Sequence, residues 1–63
     1  MALYRCYFID ANDRTLGPAA TINAADDNAA IVLAQEQCDH HLRCSSVELW
    51  LGARRVRQIN RTA

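Results

Sequence analysis

Strand, strand, helix, strand, strand is the order of local signals in this chain. It predicts an α+β protein, a two-layer β-β-α-β-β fold with one helix packed on a four-stranded antiparallel sheet. Three observations carry that expectation. Residues 3–9 are rich in aromatic and β-branched types, residues 24–28 carry helix-start chemistry, and residues 46–59 read as a hairpin turning at Gly52-Ala53.

Alternation along Leu3-Tyr-Arg-Cys-Tyr-Phe-Ile9 puts Tyr4, Cys6 and Phe8 on one face and Leu3, Arg5, Tyr7 and Ile9 on the other. The charge on Arg5 marks the second set as the more exposed. Asp10-Ala-Asn-Asp-Arg14 is a turn by composition, because Asn and Asp bond their own backbone and tolerate left-handed geometry. A second strand is expected from about Thr15 to Asn23. Gly17-Pro18 interrupts it, and a proline cannot donate to a ladder, so this strand belongs at the sheet edge or carries a bulge.

Asp26 is a good N-cap, and Asp27 places negative charge at the positive end of the helix dipole. The helix should run from Asp27 to about His41. At 100° per residue, Ala30, Ile31, Ala34, Cys38, His41 and Leu42 share a stripe, opposite Gln35, Glu36, Asp39 and His40. That stripe is mostly small and lets the helix lie close to the sheet. Val32 and Leu33 fall outside its centre and should be exposed in a monomer. Residues 43–46 link to the hairpin, and residues 60–63 read as a frayed tail.

A two-residue turn pairs Leu51 with Arg54, Trp50 with Arg55, Leu49 with Val56 and Glu48 with Arg57. Gly52 at the first turn position suits a type II′ turn, which needs positive φ there. The simplest strand order is 2-1-3-4, with Tyr4, Cys6, Phe8, Ile22, Val47, Leu49, Leu51 and Val56 facing the helix. The open face would carry Tyr7, Trp50, Arg55 and Arg57, with Arg55 stacked on Trp50 and Arg57 paired with Glu48.

At 63 residues the chain is expected to be one domain, residues 1–63, near the size where a single core is marginal. Its hydrophobic fraction of 51% includes eleven alanines, which bury little area each. Association with a second copy is the simplest remedy, so a homodimer is expected. The net charge is zero, which argues against generic polyanion binding. Yet residues 1–42 hold two arginines against six acids, and residues 43–63 hold five arginines against Glu48 alone. Acidic and basic halves can attract each other within the fold or across a dimer.

Three cysteines, Cys6, Cys38 and Cys44, with no signal peptide before the first strand, point to reduced thiols in a bacterial cytoplasm. Cys6 and Cys38 are expected to meet as core thiols, with Cys44 the reactive one. No apolar run is long enough to span a membrane. Cys38, His41 and Cys44 have metal-ligand residue types, but no recognised zinc spacing is present and Cys6 would have to be the fourth ligand. Core packing and helix-end charge account for them better, so no metal and no cofactor is expected. Ser45 and Ser46 beside His40 and His41 lack any nucleophile elbow, Asp26-Asp27 are explained as cap and dipole residues, and Gly17-Pro18 is too isolated for a phosphate loop. An enzyme is not expected. The candidate interaction surface is Tyr7, Trp50, Arg55 and Arg57. The expected role is a protein-interaction module, first with itself. The alternative is a single-stranded nucleic-acid module using Tyr7, Trp50, Arg54, Arg55 and Arg57, stacking bases on aromatics and holding phosphates with arginines.

Ala24-Ala-Asp-Asp-Asn-Ala-Ala-Ile31 and Glu48-Leu-Trp-Leu-Gly-Ala-Arg-Arg-Val56 resemble segments of a group of very short alphaproteobacterial proteins. Those proteins open on an aromatic strand, start their helix at Ala-Asp-Asp and end in a Glu-Leu-Trp-x-Gly-x-Arg hairpin. The likeness covers most of residues 3–59 and implies the fold alone, since no activity attaches to the group.

Overall fold

The computed structural model describes residues 1–61. Its elements are β1 (Ala2–Ile9), β2 (Ala20–Ala24), α1 (Asp27–Asp39), β3 (Ser46–Leu51) and β4 (Arg54–Asn60). The strands form one antiparallel sheet in the order β2-β1-β3-β4, with α1 across one face. The Cα frame is 15 Å deep along its shortest axis, so the described residues form two layers and no third.

The core lies between helix and sheet. Tyr4, Cys6, Phe8, Ile22, Val47 and Leu49 come from the expected inward set and are joined by Ala24, Ala30, Ala34, Cys38, Cys44 and Ile59. Only Ala30, Ala34 and Cys38 are buried on α1. Side chains this small let the helix axis approach the sheet, while Val32 and Leu33 stay outside as expected. Asp26 caps the helix, its carboxylate accepting from the Ala29 N–H at 2.8 Å.

Several expectations are corrected. Pairing of β1 with β2 covers only Ala20–Ala24, and Thr15 makes an isolated bridge to Ile9. Gly17 at φ 71°, followed by Pro18, breaks the strand between them. The helix ends at Asp39 rather than His41, with His40 as C-cap, so Leu42 is 93% exposed instead of buried.

The hairpin turn is as expected, with φ 60° at Gly52 and no positive φ at Ala53, but the register beyond it is not. Leu51 pairs with Arg54 and Trp50 with Arg55; a bulge then puts Leu49 opposite Arg57, Glu48 opposite Gln58 and Val47 opposite Ile59. Val56 and Ile59 are three residues apart, so strict alternation would point them to opposite faces. The bulge sets both toward the helix, Val56 packing on the core and Ile59 buried in it. Arg57 is carried to the helix side of the sheet and does not pair with Glu48.

Residues expected to fray are tied down. Asn60 closes β4, and its carbonyl accepts from Gln35 Nε2 at 2.9 Å. Arg61 donates to the carbonyls of Asp39 (3.0 Å), His41 (2.7 Å) and Cys44 (3.2 Å), holding the end of α1 and its following turn. Of these acceptors the Asp39 carbonyl belongs to the last turn of the helix, where a cation also suits the dipole. The rest of that expected tail, residues 62–63, lies outside the described residues.

The other end of the helix is held by Asp27. Its carboxylate accepts from the buried Tyr4 hydroxyl at 2.7 Å and from both terminal nitrogens of Arg54 at 3.3 Å. The Tyr4 hydrogen bond, with Arg54 beside it, holds the Asp27 carboxyl below the usual carboxylate range, and the same bond, with burial, raises Tyr4 above the usual phenol range.

Stability should therefore fall at both pH extremes. A depressed carboxylate contributes stability above its unfolded pKa of about 3.9 and loses it as pH falls. Raised Tyr4 and Cys6, the thiol pushed up to about 11 by burial, contribute below their unfolded values and lose it as pH rises. Thermal melts from pH 2 to pH 11 should show both limbs, and Asp27→Asn should flatten the acid one. Leu49→Ala, at a site with no exposure, should cost about 2–5 kcal/mol in denaturant titration.

Candidate interaction surface

The sheet face away from α1 is set by pleat and register. Trp50 on β3 stands between Arg5 on β1 and Arg55 on β4; one pair along, Glu48 stands between Tyr7 and Gln58. Thr21 and Asn23 of β2 flank Arg5 and Leu3 at the edge. Leu3 is 56% exposed, a large apolar side chain over which no layer of the described residues lies.

One end of this face is walled by the loop after β1. The Asp10 carboxylate accepts from the backbone N–H groups of Asn12 and Arg14, at 2.9 and 3.0 Å. The Arg14 bond leads in holding the Asp10 carboxyl below its ordinary range. That turn puts Asp13 in the left-handed region at φ 65°, which aspartate tolerates. Leu16 then donates to the Phe8 carbonyl at 2.7 Å, and Thr15 bridges to Ile9. Folding the loop back in this way leaves an open groove of about 670 Å3 lined by Tyr7, Ile9, Asp13, Thr15, Glu48, Trp50, Gly52 and Gln58. Ile9, expected among the more exposed residues, is buried at one end of it.

Polar side chains in the groove are ordered among themselves. Trp50 Nε1 donates to Glu48 Oε1 at 3.1 Å, and Arg55 donates to Gln58 Oε1 at 3.0 Å. Glu48 thus has no arginine of its own chain bonded to it, among the described residues. The Arg5 side chain is exposed and makes no hydrogen bond or ion pair with the described residues. The surface can offer two aromatic rings, the carboxylates of Glu48 and Asp13, and the cations Arg5 and Arg55.

Of the sequence-derived candidates, Tyr7, Trp50 and Arg55 do share this face. Arg57 does not, because the bulge turns it toward the helix side, and Arg54 is engaged with Asp27. Gln58 takes the place assigned to Arg57. Sequence reasoning missed Gln58, Asp13 and Thr15 as groove residues and did not place Arg5 beside Trp50. The three-residue spacing of Val56 and Ile59 was the available signal for the bulge.

The Cys38–Cys44 cluster is not the set of free thiols expected. The two cysteines are joined as a disulfide with Cα atoms 5.5 Å apart, and both are buried. The helix ends early and its next turn swings Cys44 inward, so Cys44 is not the exposed thiol; Cys6 is free and buried. His41 stacks on Phe8 with ring centroids 5.9 Å apart, its Nδ1 accepting from the Arg43 N–H at 3.3 Å. Among the described residues no group of three or more His, Cys, Asp or Glu is placed to hold a metal ion, and no helix is long and apolar enough to cross a membrane.

No protein-family model, curated protein or solved structure matches this chain.

Thiol titration tests the cysteine arrangement. Folded, unreduced protein should react slowly, unfolded unreduced protein should expose one thiol from Cys6, and reduction should expose all three. A fast-reacting Cys44 in folded, unreduced protein would contradict it.

Proposed function

We propose that this protein is a small non-enzymatic interaction module that self-associates through the uncovered face of its sheet, as a homodimer in a bacterial cytoplasm. The observation that carries the reading is that face itself: Tyr7 and Trp50 lie among Arg5, Arg55, Glu48 and Asp13, with no second layer over them. A chain of 63 residues gains little from one core, and covering its open sheet face is the direct way to bury more apolar surface. Charges of both signs on one patch favour a partner that also carries both, as a second copy does. In the cytoplasm the thiol pool works against disulfides, so this reading expects Cys38–Cys44 to open on reduction in the cell.

The row Arg5–Trp50–Arg55 favours one other reading, a platform for single-stranded nucleic acid. Two facts weigh against it. Arg54 and Arg57 lie off this face, and Glu48 and Asp13 put negative charge in the groove where phosphates would pass.

Sedimentation equilibrium from about 1 to 100 μM should show a concentration-dependent monomer–dimer equilibrium in this reading. Trp50→Ala should shift it toward monomer with little loss of monomer stability. A 7.1 kDa species throughout would defeat self-association. Quenching of Trp50 fluorescence by a short oligonucleotide, weakening as salt rises, would favour nucleic acid instead.

A further inference from the structure

We propose that the groove is the receptor for an arginine of a second copy, so that each protomer seats its own Arg5 against the partner's Glu48 and receives the partner's Arg5 on its own. This deepens the self-association reading and rests on it.

Arg5 and Glu48 are oppositely charged and share the open face, and among the described residues neither is bonded to an opposite charge of its own chain. Glu48 is half-buried between Tyr7 and Gln58, and one carboxylate oxygen takes the Trp50 Nε1–H. The other oxygen is left for a donor from outside. Asp13 adds a second carboxylate to the groove wall, and Tyr7 and Trp50 supply aromatic faces. A carboxylate beside aromatic rings is the environment a guanidinium selects, since it bonds the one with its fork and stacks on the other.

Symmetry makes the same pair fit twice. Arg5, Trp50, Glu48 and Tyr7 mark the corners of a near-rectangle on the sheet, from the successive same-face pairs Arg5–Trp50 and Tyr7–Glu48. Its sides are about 4.8 Å across the strands and about 6.8 Å along them. Arg5 and Glu48 occupy one diagonal, Tyr7 and Trp50 the other. A two-fold axis lying between two such faces, close to the Tyr7–Trp50 diagonal, carries Arg5 of each copy over Glu48 of its partner. The same operation brings each aromatic ring near its own twin, with the strands of the two sheets steeply crossed. The contact is self-complementary, with two ion pairs flanking an aromatic centre that excludes water and strengthens them.

Charge reversal tests this through mixing. Sedimentation equilibrium is run on wild type, Arg5→Glu, Glu48→Arg and an equimolar mixture of the two variants, each first checked for an unaltered cooperative melt. Either variant alone opposes like charges at both pairs and should weaken dimerisation at least about 100-fold. In the mixed dimer one pair has its charges exchanged and the other keeps its native Arg5 and Glu48, so opposite charges meet at both. The mixture should return to within about tenfold of wild type. Should Glu48→Arg fail to melt cooperatively, Glu48→Gln replaces it, and its mixture with Arg5→Glu should still bind more tightly than Arg5→Glu alone. A wild-type dimer that neither reversal weakens, or that mixing does not restore, overturns the Arg5–Glu48 contact and leaves self-association standing. A monomeric wild type overturns both.

Discussion

A β-strand sends alternate side chains to opposite faces, so two apolar residues three apart cannot both reach one core unless the strand gains a residue. Val56 and Ile59 set that problem on β4, and the bulge facing Leu49 resolves it. Much of the molecule depends on this one extra residue. It delivers Ile59 opposite Val47 under the helix, carries Asn60 to where Gln35 can bond it, and leads the chain into the position from which Arg61 reaches the end of α1. It also decides the outer face, putting Gln58 rather than Arg57 beside Glu48.

Charges in this chain divide into those used inside the fold and those left on its surface. Asp27 gathers Tyr4 from β1 and Arg54 from β4 at the start of the helix, and Arg61 gathers carbonyls at its finish. The acidic early part and basic late part of the chain meet in the Asp27–Arg54 pair at the start of α1, and Arg61 lies at its finish, where the helix dipole favours a cation. Arg5 and Glu48 are left out of this arrangement, and they lie on the face that has no second layer.

The helix contributes little bulk to the core. Ala30, Ala34 and Cys38 allow a close approach but bury small areas, so the larger burial falls to Tyr4, Phe8, Ile22, Val47, Leu49 and Ile59 from the sheet. The Cys38–Cys44 bond and the Arg61 clamp both tie down the helix C-terminus, just before the turn that carries Leu42 and Arg43 into solvent. Self-association, as proposed, would add burial to this thin core by covering the other face of the sheet.

The residues alone determined the order of elements, the Asp26 cap, the Gly52 turn and most of the inward set. Each of these rests on neighbours a few positions apart: alternation along Tyr4, Cys6 and Phe8, a side chain bonding a backbone N–H three residues on, a glycine free to adopt positive φ. Tyr7, Trp50 and Arg55 were legible as a surface for the same reason. Tertiary structure decided the bulge, the burial of Ile9 under the folded-back loop, the Cys38–Cys44 bond, the capture of Arg54 by Asp27 and of the helix end by Arg61. These join positions distant in the chain, or choose between two local pairings of nearly equal merit. Cross-strand charge pairing favoured Glu48 with Arg57, but burying Ile59 and Val56 together outweighs an exposed ion pair worth about 0.2–1 kcal/mol.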